Sequence, residues 1–226
     1  MVAFKFENEI FETQPPHLKA LGDIRFRQLL STTEWYALPK AVRARFGKRV
    51  AGGESKLYKG QVTKNEMSRI GYTLAQILRL VGAPLPLETG GIGAPAIVTV
   101  TEDKAGKGQF WMRQYGRKTT FPQIIHSAKR FTGPTGLEEH IGCGIGMTLI
   151  LKVVGADLLF ESHKYFIETL GRRLYLPTWM TPGTLTIAHI DKGENNFEFA
   201  LKLQHPFFGK LIDQTAQFTD VKEVEK

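Results

Sequence analysis

A single cysteine, Cys143, among 226 residues excludes an internal disulfide and fits a reducing cytoplasm. No apolar run is long enough to cross a bilayer as a helix. The most apolar stretch, Ile145 to Phe160, is broken by Lys152, Gly155 and Asp157, short of the roughly 20 residues a span needs. The first residues alternate apolar and charged side chains (Phe4, Lys5, Phe6, Glu7), so no secretory leader is expected. Neither the Walker G-K-[ST] nor G-x-S-x-G occurs, which argues against P-loop and serine-hydrolase chemistry. The six histidines show no H-x-H, H-x-x-x-H or paired-cysteine spacing, so neither a metal centre nor a cofactor is expected. Every compact signature of a reaction is missing.

What is present is alternation. In Phe197-Glu198-Phe199-Ala200-Leu201-Lys202-Leu203 the odd positions are apolar and Glu198 and Lys202 fall on the other face, the pattern of a half-buried strand. The same pattern predicts strands over 96–103, 108–116, 119–130, 136–141, 146–154, 157–169, 172–176, 184–191, 196–204 and 210–219. Turn residues such as Gly155-Ala156-Asp157 and Gly193-Glu194-Asn195-Asn196 separate them. The gaps are hairpin-sized, so sequence neighbours pair antiparallel, and so many strands curl into a barrel or split into packed sheets.

Ahead of this lies a helical front. Asp23 is a candidate N-cap for a helix through about Leu30, and Leu38-Pro39 opens a second short helix with Val42 and Phe46 on one face and Gly47 at its end. Val2 to Phe6 and Leu57 to Thr63 read as strands. Ile70, Leu74, Ile77, Leu78 and Val81 recur at helical spacing over 68–81, ahead of Gly82-Ala83-Pro84. The expected architecture is a single α+β domain, 1–226. It has a helical front over about 19–83 and a β-rich part over about 96–220, a curled, barrel-like antiparallel meander with short N-terminal helices and one longer helix packed against it. A helix-grip fold is the nearest rival, but Pro206 and Gly209 interrupt the stretch where its long C-terminal helix belongs.

The net charge is +8, and from Lys19 to Arg79 thirteen Lys/Arg face four Asp/Glu. A solvated helical surface accounts for this surplus, and no specific nucleic-acid partner is expected. Gly142-Cys143-Gly144-Ile145-Gly146 lacks the dinucleotide spacing and leads into a β-type run, so it reads as a strand-to-strand turn.

The candidate binding residues are Trp111, Arg113, Tyr115, His126 and Glu139. Alternation places Trp111, Arg113 and Tyr115 on one face, where two aromatics flanking a guanidinium can grip a ligand. Glu139 shares a face with Leu137 and Ile141. If that face is the interior, the carboxylate needs a cation such as Arg113 or Arg172. Glu138 and His140 take the opposite face.

Several short patterns occur in order: Phe26-x-x-Leu29-Leu30, Leu38-Pro39-x-x-Val42-Arg43, Gly60-x-Val62, Trp111-x-Arg113 with Gly116, Glu139-x-x-Gly142, Leu176-Pro177-x-x-Met180-x-Pro182 and His205-Pro206-x-Phe208-Gly209. In this order they resemble an uncharacterised bacterial family, domain of unknown function 4166. The resemblance implies a bacterial origin. It also implies kinship with domains attached C-terminally to a nucleotide-binding, saccharopine-dehydrogenase-like domain. It carries no activity and no catalytic residue.

The function expected first is a non-catalytic binding domain that holds a small apolar or amphipathic ligand in a cavity of the curled sheet. Two others stand beside it: an accessory module for a nucleotide-dependent oxidoreductase partner, and an enzyme using Glu139, His140 and Arg113 at a cleft.

Overall fold

The computed structural model describes residues 22–80, 85, 91–118 and 121–220. The expected strand Val2–Phe6 and the helix stop at Gly82-Ala83-Pro84 lie outside the described residues.

The helices come first. Asp23 makes the forward bond of a cap, accepting from the Arg25 N–H at 3.0 Å and from its guanidinium at 2.7–2.8 Å, but no α-helix through Leu30 follows. Only a 3-10 turn, Arg27–Leu29, forms there. The true start is Ser31, whose hydroxyl accepts from the Glu34 N–H while Glu34 reaches back to the Ser31 N–H. This capping box opens α1 (Thr32–Ala37), and Pro39 precedes α2 (Lys40–Gly47), with Val42 and Phe46 buried. After the first strand comes α3 (Arg69–Leu80).

The strands are β1 (Ser55–Met67), β2 (Pro95–Asp103), β3 (Gly108–Tyr115), β4 (Gln123–Arg130), β5 (Glu138–Gly142), β6 (Ile145–Val154), β7 (Asp157–Thr169), β8 (Arg172–Tyr175), β9 (Thr184–Gly193), β10 (Asn196–His205) and β11 (Gly209–Asp220). All ladders between them are antiparallel, in the order β6-β5-β4-β3-β2-β1-β11-β10-β9-β7. β6 also pairs with β7, so ten strands form a closed ring with β8 folded outside it. Closure gives each of these ten strands a neighbour on both sides. β1, inside the helical front, is a full stave: it pairs with β2 on one side and β11 on the other. The helical front and the barrel are therefore interleaved along the chain. β7 pairs with β6 along one edge and with two strands along the other. Its first half, Leu158–Glu161, pairs with β9, and its second half, Phe166–Thr169, pairs with the β8 hairpin.

The register sets the lumen face. Phe197 opposes Phe218, Phe199 opposes Ala216, Leu201 opposes Gln214 and Leu203 opposes Ile212. Phe197, Phe218, Leu203 and Ile212 are fully buried and Lys202 is exposed, as the alternation requires.

The two ends of the barrel differ. At one end Phe26 and Phe46 meet edge to face at 5.2 Å, and Phe46 touches Phe160 and His189. Arg45 of α2 ties this plug to Asp191 and Asp220 at 3.1 and 2.8 Å. At the other end α3 crosses the rim. Gly71 and Ala75 are its buried residues, and a Cβ on Gly71 would collide with the Leu211 carbonyl, so glycine lets the helix lie directly on β11. Part of the basic surplus of the front is neutralised by later strands: Arg45 by Asp191 and Asp220, Lys64 by Asp213 at 2.7 Å.

Candidate ligand cavity

Strand parity decides which side chains meet inside. On β3, Trp111 is buried and Arg113 and Tyr115 are partly buried, while Phe110 and Met112 are exposed on the outer wall. Trp111 opposes Ser127, and Arg113 opposes Ile125. β4 therefore sends Ile125, Ser127 and Lys129 inward. His126 opposes the outward Met112 and is exposed, so its strand parity differs from that of Trp111, Arg113 and Tyr115. Directly opposed residues share a face, yet His126 still borders the apolar cavity described below, together with Arg113, Tyr115 and Glu139. On β5, Glu139 opposes Lys129 and Met147.

Three successive strands thus place one polar cluster in the lumen. Arg113 Nη2 donates to Ser127 Oγ at 2.9 Å and to Glu139 Oε1 at 3.1 Å. Ser127 Oγ donates to the same Oε1 at 2.6 Å, and Lys129 Nζ lies 3.1 Å from it. Glu139 Oε2 is buried and makes no hydrogen bond. Lys129, which the sequence reading left out, sits 5.0 Å from the Trp111 ring centroid and 5.5 Å from that of Phe160. Burial alone would raise the Glu139 carboxyl, but the Lys129 and Arg113 cations and the Ser127 hydroxyl outweigh it and bring it to about 2. Burial lowers the Lys129 ammonium, opposed by Glu139.

Above this cluster lies a cavity of about 290 Å³, walled by Leu74 and Leu78 of α3, Ile141, Met147, Leu176 and Leu203, with Arg113, Ser127 and Glu139 at its polar end. A space of about 40 Å³ beside Lys129 and Phe160 continues from it past Arg113 and Tyr115. A third space, about 460 Å³, lies at the plugged end near Arg45, Tyr58 and His189. Trp111 and Phe199, in edge-to-face contact at 6.0 Å, border both of the latter two. His189 belongs to the aromatic core: it stacks on Phe197 at 4.8 Å, and burial, with the nearby Arg45, lowers its pKa to about 3.

The Glu139, His140 and Arg113 constellation is not assembled. His140 lies on the outer wall, its Nε2 3.3 Å from Glu138 Oε2 without hydrogen-bond alignment. Burial and the neighbouring Arg130 lower its pKa, against the pull of Glu138. There Glu138, fully buried, is gripped by both terminal nitrogens of Arg173, which also lies 4.0 Å over the Phe166 ring. Arg173 thus pins the β8 hairpin to the barrel. Of the two cations suggested for Glu139, Arg113 is the partner. Cys143 is exposed in the β5–β6 turn with φ 50°, as a strand-to-strand connection requires. Among the described residues no group of three His, Cys, Asp or Glu could hold a metal.

Fold and cavity define a class: a closed antiparallel β-barrel with an apolar lumen and one internal ion cluster. Residues 38–218 match the family described as domain of unknown function 4166, and the chain belongs to it. No curated protein and no solved structure matches the chain. Among the described residues no helix is long and apolar enough to cross a membrane, which says nothing of barrels.

Proposed function

We propose that this protein is a non-catalytic binding domain that carries a small apolar or amphipathic ligand inside the barrel. The observation behind this reading is the 290 Å³ apolar cavity that ends on Arg113, Ser127 and Glu139. It sits at the small end of the range for ligand pockets and has their usual make-up, an apolar lining with a few convergent polar groups. The outer wall supports the reading. Lys59, Gln61 and Thr63 of β1 are exposed, and Lys152 and Glu161 pair at 2.7 Å on the outside of β6 and β7. The outer wall also carries exposed Phe110 and Met112, but an apolar lumen differs from a membrane barrel, whose interior is polar. The exposed thiol of Cys143 suits a reducing compartment such as the cytoplasm.

Native mass spectrometry of protein purified without detergent tests the proposal through co-purified mass. Arg113→Ala should keep the barrel's circular dichroism and bind the co-purified ligand more weakly. Equal binding by that variant, or no ligand from any source offered, would count against the reading.

A further inference from the structure

We infer that the cavity selects a monoanionic amphiphile: an alkyl chain in the apolar part, with one carboxylate head against Arg113 and Lys129. This rests on the reading of the cavity as a binding site and adds the chemistry of the head.

Two separate imbalances support it. The first is charge. The described residues lining the 290 and 40 Å³ spaces include two cations outside histidine, Arg113 and Lys129, and one acid, Glu139. With Lys129 protonated, a state that its burial opposes and a bound anion favours, the lumen holds one positive charge in excess, and an unmatched buried charge favours an opposite partner. The second is hydrogen bonding. Arg113 uses Nη2 alone for Ser127 and Glu139, and its Nε and Nη1 make no hydrogen bond among the described residues. Lys129 spends one contact on Glu139 and turns otherwise toward aromatic rings. Against these free donors the ion cluster leaves one free acceptor, Glu139 Oε2. A ligand head rich in acceptors and carrying one negative charge corrects both imbalances. A neutral head corrects neither fully, and a cationic head worsens both.

Shape agrees with charge. Arg113 borders both spaces, so a head placed there leaves its chain pointing toward Leu74, Leu78 and Leu176 near the α3 end. A cavity of about 290 Å³ suits a medium-length chain.

The test uses the full chain and three probes with one common tail: decanoate, 1-decanol and decylamine. Each is titrated by calorimetry below its micelle concentration. Decanoate should bind at least tenfold more tightly than decanol, and decylamine most weakly. In Arg113→Met and in Lys129→Met, each checked by circular dichroism, the preference for decanoate should shrink while decanol binding persists. If Arg113→Met does not fold, the three probes on the parent protein still decide. Equal binding of decanoate and decanol, or tightest binding of decylamine, would overturn the inference and leave the cavity reading standing. Failure of all three to bind would overturn the cavity reading and the inference with it.

Discussion

Glu139→Gln keeps the size and shape of the side chain and removes its charge. Glu139 Oε1 faces Arg113, Ser127 and Lys129 within 3.1 Å, all inside the barrel. Without it, two cations are left with no lumenal anion. Breaking a buried ion pair from one side destabilises by roughly 3–5 kcal/mol. The pKa leads to a similar figure. A folded value of about 2 against an ordinary 4.5 corresponds to roughly 3 kcal/mol at neutral pH. For a domain of this length that means a melting point lower by roughly 6–20 °C. Urea unfolding at pH 7 should show the midpoint fall with the slope unchanged. Lys129→Met added to Glu139→Gln removes one stranded cation, so the double variant should recover about 1–3 kcal/mol. A loss below about 1 kcal/mol in Glu139→Gln, or no recovery in the double variant, would refute the assignment of this cluster as a buried ion pair inside the barrel.

Three further outcomes follow from the core. His189 has a folded pKa of about 3, below its ordinary 6.5, so between these values the unfolded chain binds a proton that the folded chain does not. Its contribution is present above pH 6.5 and lost as pH falls toward 3, about 2 kcal/mol of it by pH 5. Urea midpoints at pH 7.5 and pH 5 should therefore lie closer together in His189→Leu than in the parent. Phe197→Ala should cost roughly 3–5 kcal/mol because Phe197 is fully buried, and Phe199→Ala clearly less because Phe199 is only partly buried and borders two spaces where Phe197 borders one; equal losses in urea unfolding would contradict this. Gly71→Ala forces α3 away from Leu211 and should cost about 1–3 kcal/mol, whereas Thr73→Ala on the exposed face of the same helix should stay within about 0.5 kcal/mol by thermal melting.

The strands were legible because each carries its own alternation and is bounded by its own turn residues. Even β7, with three partners and a register shift against β6, spans the expected 157–169. The helical front was harder. Asp23 and Ser31 both bond forward to a backbone N–H, and what separates them is the reciprocal bond. Ser31 finds Glu34 at the capping-box spacing and receives a bond back to its own N–H, while Asp23 has only Arg25 two residues on. That spacing was visible in Ser31-Thr32-Thr33-Glu34. The closing stave β1 was expected to be shorter, and its pairing with β11 could not be seen, because nothing local in Leu57–Thr63 specifies a partner some 150 residues away.

The site divides along the same line. Parity within a strand was enough to put Trp111, Arg113 and Tyr115 together, and to separate Glu139 from His140. It could not compare β3 with β4, because the loop between them does not fix which residue of one opposes which of the other. A shift of one residue exchanges the faces of the whole strand. His126 and Lys129 lie on opposite faces of β4; His126 borders the cavity all the same, and the omission of Lys129 is an error of phase. A chemical argument would have corrected it. Ile125, Ser127 and Lys129 form the other face of that strand, and Glu139, read as inward, needed cations within reach. The register that sets Lys129 directly against Glu139 satisfies this need, while the register that turns His126 inward would leave Lys129 facing solvent and the carboxylate with one partner fewer. Buried charge thus fixes the phase of β4 where hydrophobic alternation, with Ile124 and Ile125 adjacent, leaves it ambiguous.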